Sequence, residues 1–331
     1  MTIWSASAEN DYPTESLSRV DTNNSAPSLL TRTRKLTFAG KRSGEGYFSA
    51  DGKKLIYQSE RLDSNPFYQI YLLDLQTGDN DLVSTGTGKT TCSWIHPNGS
   101  RVMFASSHED PEAKTKQKAE LAFRDSGKAR KYSWDYDDWY EIFEKDLKTG
   151  KLRNLTKTRG YDAEGCYSPD GKLIVFSSNR QAYESQLSAK EKQIFDRDKS
   201  YFADIYLMNA DGSNVREVAA DFDREFAALQ WAPDGRSLYS AIENAGNVDL
   251  FQITTGGDTS IAVSGLGGTS IGRPYAGADF SLSEGRNPVI AYTAGSPDRP
   301  AEVAVAGRGV NARTLTALNE DVLPYLDMAR V

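Results

Sequence analysis

Cysteine and histidine are the scarcest chemical tools in this 331-residue chain, with two of each: Cys92, Cys166, His96 and His108. A zinc site needs three or four convergent ligands, and no Cys or His spacing here supplies them. Both histidines read as polar residues of one hairpin. No histidine follows His108, so Gly268-Thr-Ser-Ile-Gly272, which matches a nucleophile-elbow pattern, lacks the downstream base that such chemistry needs. Ser270 therefore reads as part of a glycine-rich connector. Gly86-Thr-Gly-Lys-Thr-Thr91 ends like a phosphate loop, but Val83 stands where the first glycine belongs, and strand rather than helix follows. Apolar runs long enough to cross a membrane, about 20 residues, are missing. So is a basic stripe interleaved with aromatics. With a net charge of −7, this makes nucleic acid an unsuitable partner. Met1 to Asn10 shows neither the basic start nor the apolar core of a secretory signal. The two cysteines each precede a hairpin in successive repeats. They are expected as buried free thiols, the alternative being a disulfide between neighbouring repeats. No catalytic residue, cofactor site or metal site is expected.

What is present is a repeat. Tyr167-Ser-Pro-Asp-Gly-Lys-Leu-Ile-Val-Phe-Ser-Ser-Asn179 reads as strand, tight turn, strand. Proline presets its own φ, glycine accepts φ > 0, and the flanks are β-branched or aromatic. Related segments are Phe48–Tyr57, Ile95–Phe104, Trp231–Tyr239 and a degenerate Phe280–Tyr292. Their turn glycines, Gly52, Gly99, Gly171, Gly235 and Gly285, are spaced 47, 72, 64 and 50 residues apart. Periods of about 40–50 residues with four strands each are those of propeller blades. The predicted fold is all-β: a propeller of four-stranded antiparallel blades, five in number with six as the alternative. The length alone would suggest two domains of about 150 residues. The repeat overrides that prior, because blades pack side by side in one ring.

Residues 1–30 are polar and rich in Ser, Asn and Thr, and read as a flexible arm ahead of a single propeller domain, 31–331. The repeats run at about 44–86, 90–157, 161–219, 225–264 and 275–318. Third strands are predicted at Gln69–Leu75, Tyr140–Leu147, Asp204–Met208, Asp249–Ile253 and Ala301–Val305. Arg34-Lys-Leu-Thr-Phe38 shares lettering with Arg153–Thr156 and Arg313–Thr316, which close their repeats as outermost strands. The N-terminal copy is therefore expected to close the ring against the C-terminal blade and so remove exposed sheet edges. Residues 319–331 are a candidate strand for a partial sixth blade.

Two insertions lengthen the link between second and third strands, at about 109–138 and 181–202. Pro111 to Arg124 has helix-forming composition. Ser188 with Glu191 three positions later opens a second helix as a capping box. Sharing one kind of link in adjacent blades, both insertions should decorate one face, and additions on one face of a repeat protein are where partners bind. The candidate partner-binding residues there are Asp135, Tyr136, Asp137, Asp138 and Trp139, the densest acidic-aromatic cluster in the chain. Neither it nor Asp196–Ser200 has the glycine a calcium loop requires. Seven basic residues from Lys114 to Lys131 read as a solvated face, with contact to an acidic partner the sharper alternative. Glu45, Glu164 and Asp279 precede their hairpins on innermost strands and would make the channel mouth acidic, able to take a cation or a partner's basic segment.

The repeat core, aromatic-Ser-Pro-Asp-Gly-Lys-x-Ile-x-Phe at 167–176 followed by Asp-Ile-Tyr-Leu-Met-Asn-Ala-Asp-Gly at 204–212, resembles the TolB-like β-propeller family across about residues 34–219. That resemblance implies a six-bladed, often periplasmic propeller that works by binding other proteins. From about Asp221 the lettering shifts. Gly295–Val303 and Arg313–Leu323 resemble the propeller of the prolyl oligopeptidase family, in its dipeptidyl and acylaminoacyl peptidase branch. There such a segment leads into a hydrolase domain, for which no sequence is seen before Val331. Two resemblances meeting near residue 220 read as a mosaic. The expectation is a monomeric, non-enzymatic module for a protein or peptide partner. The rivals are a substrate-gating propeller of a serine peptidase and a chimeric propeller without a selected function.

Overall fold

The computed structural model describes residues 33–131, 135–268, 278–296, 299–321 and 323. The N-terminal arm, Ser270 and most of 319–331 lie outside the described residues. Five antiparallel four-stranded meanders follow one another along the described chain. The first is β1 (Arg42–Phe48), β2 (Lys54–Glu60), β3 (Gln69–Asp74) and β4 (Asn80–Leu82). The second is β5 (Thr90–Ile95), β6 (Arg101–Ser106), β7 (Trp139–Asp146) and β8 (Leu152–Asn154). The third is β9 (Gly160–Tyr167), β10 (Leu173–Ser178), β11 (Asp204–Asn209) and β12 (Arg216–Glu217). The fourth is β13 (Ala227–Trp231), β14 (Ser237–Asn244), β15 (Asn247–Thr254) and β16 (Thr259–Leu266). The fifth is β17 (Phe280–Leu282), β18 (Val289–Ser296), β19 (Arg299–Gly307) and β20 (Val310–Thr314). This is the all-β propeller architecture that the repeat predicts.

The Ser-x-Asp-Gly letters make the first turn of a meander. In the third, Ser168 Oγ donates to Asp170 Oδ1 at 2.7 Å, and the same oxygen accepts from Lys172 N at 3.1 Å. Gly171 closes the turn at φ +70. Asp51 makes the same contacts with Ser49 and Lys53 beside Gly52. The carboxylate replaces the backbone partners that a turn this tight leaves unmet.

Faces of successive meanders bury against each other. Ile56 and Ile70 of the first meet Val102, Phe104 and Phe143 of the second. Met103 and Ile142 of the second meet Tyr167, Ile174 and Phe176 of the third. Val175 and Leu207 of the third meet Leu238 and Ile253 of the fourth, and Leu250 of the fourth shares a cluster with Ile290 and Tyr292 of the fifth. Each such side chain contributes about 1.5–3 kcal/mol on leaving water. Both cysteines are free and buried.

One sequence expectation needs correction. Arg34–Phe38 forms no strand; Leu36 instead packs on Tyr57, Tyr71 and Leu73 of the first meander, and Phe38 is exposed. Strand formation needs hydrogen bonds from a neighbouring edge as well as lettering, and among the described residues no strand pairs with this segment. His96 is a polar residue of its hairpin turn, as expected, and is held inside the fold. Its Nδ1 accepts from Asn98 N, and its Nε2 lies 3.1 Å from Gly171 O in the next meander. Arg101 Nη2 lies 3.0 Å from the same ring nitrogen, so His96 links the turn of its own meander to that of the next.

Both insertions contain helices. α1 (Ala113–Asp125) fills the β6–β7 link. α2 (Gln181–Glu184) and α3 (Ala189–Arg197), with a 3-10 turn at Lys199–Phe202, fill the β10–β11 link. Ser188 and Glu191 make the reciprocal capping box that their spacing predicts. Among the described residues no helix is long and apolar enough to cross a membrane.

Candidate functional site

The insertion face is tied down by ion pairs. Arg124 near the end of α1 reaches the first meander, donating to Glu60 Oε1 at 2.8 Å and to Pro66 O at 2.9 Å. Gln117 donates to Ser64 O and accepts from Gly88 N. At the other end of the insertion, buried Asp137 takes Lys116 Nζ at 2.8 Å, and that ammonium also pairs with buried Asp110 at 2.7 Å. One lysine between two buried carboxylates fixes the start of α1 against the start of β7.

The acidic-aromatic cluster therefore divides. Asp137 is internal. Asp135 is exposed and pairs with Lys89 at 2.6 Å. Asp138 pairs with Arg159, whose guanidinium lies 4.3 Å from the Trp139 ring centre. Tyr136 stacks on Tyr161, and its hydroxyl meets that of Tyr183 on α2 at 2.6 Å. The two insertions thus touch. The surface they leave to solvent includes Asp135, Lys114 and Lys118 of α1, and Tyr201. Of the basic run, Lys116, Arg124 and Arg130 are engaged with carboxylates of the same face.

On the innermost strands, Glu45 of β1 and Glu164 of β9 come together, with Cys92 of β5 between them. One carboxylate oxygen from each and the thiol sulfur lie within 4.8 Å of one another. All three residues occupy the same structural position. Each has positive φ (41, 47 and 57), and each sits where the pairing with the second strand slips by a residue. A bulge redirects its extra side chain out of the regular pleat. Three equivalent bulges in adjacent meanders therefore aim three side chains at one point.

Tyrosines from the same strands support the carboxylates. Tyr47 donates to Glu45 Oε1 and Tyr161 donates to Glu164 Oε1, each at 3.1 Å. Burial, then the neighbouring Glu45 carboxylate, raises the Glu164 carboxyl above the usual range. Burial and both glutamates push the Cys92 thiol well up. Such a thiol stays protonated, the reverse of an activated nucleophile. Asp279, the third expected channel acid, is exposed and is not part of this group.

Cys92 was readable. It stands seven residues before its turn glycine, as Glu45 and Glu164 stand before theirs. Comparing equivalent repeat positions finds it, whereas looking for acids alone does not.

The fold to which this chain is similar is the β-propeller of four-stranded antiparallel meanders. No known protein-family profile matches it. Dipeptidyl-peptidase 5 of Porphyromonas gingivalis is 32% identical over 116 residues, which is 34% of this chain and 15% of that enzyme. The chain thus spans only a small part of the length of that curated relative. The oligogalacturonate lyase of Vibrio parahaemolyticus superposes over 85% of this chain and 67% of its own, with TM-score 0.51 and 13% identity. A puromycin hydrolase S511A variant superposes over 84% of this chain and 38% of its own, with TM-score 0.51 and 12% identity. TolB from Acinetobacter baumannii covers 80% of this chain and 51% of its own at 20% identity and TM-score 0.46. The neighbours span both TolB-like propellers and peptidase propeller domains.

Proposed function

We propose that this chain is a non-catalytic propeller module that binds a protein or peptide through the insertion face. The observation that carries the reading is the joining of the two insertions through Tyr136 and Tyr183 on a base anchored to the first meander by Arg124. An anchored surface loses little conformational entropy on binding. The outward-facing side chains, an aromatic ring at Tyr201 and charges of both signs at Asp135 and Lys118, suit recognition of a polar peptide with an apolar anchor. The buried, proton-holding Cys92 is consistent with a site that does no nucleophilic chemistry.

The test is selection of peptides from a displayed library on the full chain, followed by titration. A Tyr201→Ala, Lys118→Glu double variant should weaken selected peptides at least tenfold. Lys172→Glu, in a turn at the opposite end of the meanders, should leave them unchanged. Equal loss in both variants, or none in either, rejects this face.

The second reading, a substrate-gating propeller of a serine peptidase, is favoured by the match to dipeptidyl-peptidase 5. Continuation of the reading frame past Val331 into a hydrolase sequence would favour it. Cleavage of acyl-peptide esters by the purified chain would overturn the non-catalytic reading.

A further inference from the structure

We propose that Glu45, Cys92 and Glu164 form a three-ligand site for a borderline divalent cation of the zinc class, built where three innermost-strand bulges converge. The donor atoms are already within 4.8 Å of one another. Around a tetrahedral zinc, Zn–S is about 2.3 Å and Zn–O about 2.0–2.2 Å, which places neighbouring ligand atoms roughly 3–4 Å apart. Small side-chain rotations close the remaining gap.

Charge is the independent observation. Among the described residues, no lysine, arginine or histidine forms an ion pair with Glu45 or Glu164. Every other buried acidic cluster described above has its cation: Lys116 for Asp110 and Asp137, Arg124 for Glu60 and Glu120. Two carboxylates facing each other in a recess need compensation, from protons or from a cation. The hydroxyl hydrogen bonds from Tyr47 and Tyr161 hold one oxygen of each carboxylate. They orient the groups without neutralising them, as outer partners do at metal sites.

The donor set chooses the metal. Two carboxylates alone would suit calcium or magnesium, but those ions take six or more oxygens. A thiol as the third donor selects a softer ion. The ion enters from the channel side, where both glutamates are only half-buried while the sulfur is not exposed. On binding, the Cys92 S–H bond breaks, its proton goes to solvent, and the sulfur lone pair forms the metal–sulfur bond. Three protein ligands leave a fourth position open to water or to a donor from a partner. The site also ties the first three meanders together at their inner ends. That role is separate from binding at the insertion face.

The experiment is titration of the full chain with Co²⁺ and Zn²⁺, followed by absorbance and by equilibrium dialysis with metal analysis. One equivalent of Co²⁺ should give a thiolate-to-cobalt charge-transfer band, which Zn²⁺ displaces and a large excess of Ca²⁺ does not. Cys92→Ser should abolish the band, and Glu164→Gln should weaken binding at least tenfold. Cys166→Ser, which removes the other buried thiol, should leave both unchanged. If Cys92→Ser does not fold, Glu45→Gln, at a half-exposed ligand, carries the same expectation as Glu164→Gln. The proposal is overturned if folded protein shows no band at one equivalent, if the band depends on Cys166 instead, or if Ca²⁺ competes on equal terms.

Discussion

At the level of single residues, the tight turns separate two effects that share one letter. Gly52 and Gly171 have nearly the same φ, +68 and +70. A Cβ on Gly52 would meet nothing within 4 Å, whereas one on Gly171 would lie 2.5 Å from the His96 ring. Gly52→Ala should therefore cost about 1–2 kcal/mol, the strain of the left-handed region alone. Gly171→Ala should cost about 1–3 kcal/mol more, from overpacking. Urea unfolding of both variants, with His96→Ala added to the second, checks this; the double variant should recover part of the extra loss. Nothing near His96 in the sequence reveals its contact, because its partner lies 75 residues away.

Glu141, at the start of the third strand of the second meander, sets a pH dependence. Burial outweighs its hydrogen bond from Thr156, and the nearby Asp162 adds to the rise, so the carboxyl is pushed up to about 7. Asp162 is itself paired with Arg180 at 2.8 Å. The unfolded chain releases the Glu141 proton near 4.5, and the folded chain holds it until about 7. This group's contribution is therefore complete below pH 4.5 and is lost as pH rises to 7. Glu141→Gln should flatten that part of the stability profile and gain about 1–3 kcal/mol at pH 8. Chemical denaturation at a series of pH values is the measurement.

Among secondary-structure elements, a repeated clasp joins the third and fourth strands. In the first meander Ser84 Oγ donates to Gln69 Oε1 and accepts from Ile70 N. Thr156 does the same between Glu141 and Ile142 N, and Thr316 between Glu302 and Val303 N. In the third meander the register places Ala219 there. Its acid, Asp204, is pushed up to about 6 by burial and by Glu217. Thr156→Val keeps the shape and removes the hydroxyl, leaving Ile142 N without this acceptor. The expected loss is about 1–3 kcal/mol by thermal or urea unfolding. Serine or threonine near the end of these three outer strands is visible in the sequence, but its function is not. The pairing of residues fourteen or fifteen apart emerges only once the hairpin register is known. By contrast, the helix that Ser188 opens was legible, because a capping box is closed within four residues. Arg34–Phe38 shows the limit of such local reading: it carries the letters of an outer strand, yet among the described residues it pairs with none.

For the molecule as a whole, the insertions act as a brace across the first three meanders. Arg124 is the central tie, joining Glu60 and Glu120. Arg124→Ala should leave Glu60 paired with Arg42, so global stability should fall by less than about 2 kcal/mol. Helix α1 should open locally, and trypsin cleavage between Lys114 and Lys128 should accelerate several-fold. No acceleration would mean that Lys116 and Gln117 hold the helix by themselves.

The sequence by itself determined the repeating hairpins, the four-stranded plan, the positions of both insertions and the capped helix. These depend on turn chemistry and period-two patterning, whose partners lie within one repeat. Only the tertiary structure decided that Asp137 is an internal anchor while Asp135 faces water, that His96 bridges two meanders, and that Cys92 stands between Glu45 and Glu164. Those outcomes depend on how separate repeats are rotated against one another. Side chains 47 and 72 residues apart in sequence meet because equivalent bulges aim at a shared point. Local patterning makes the bulges, and only packing brings them together.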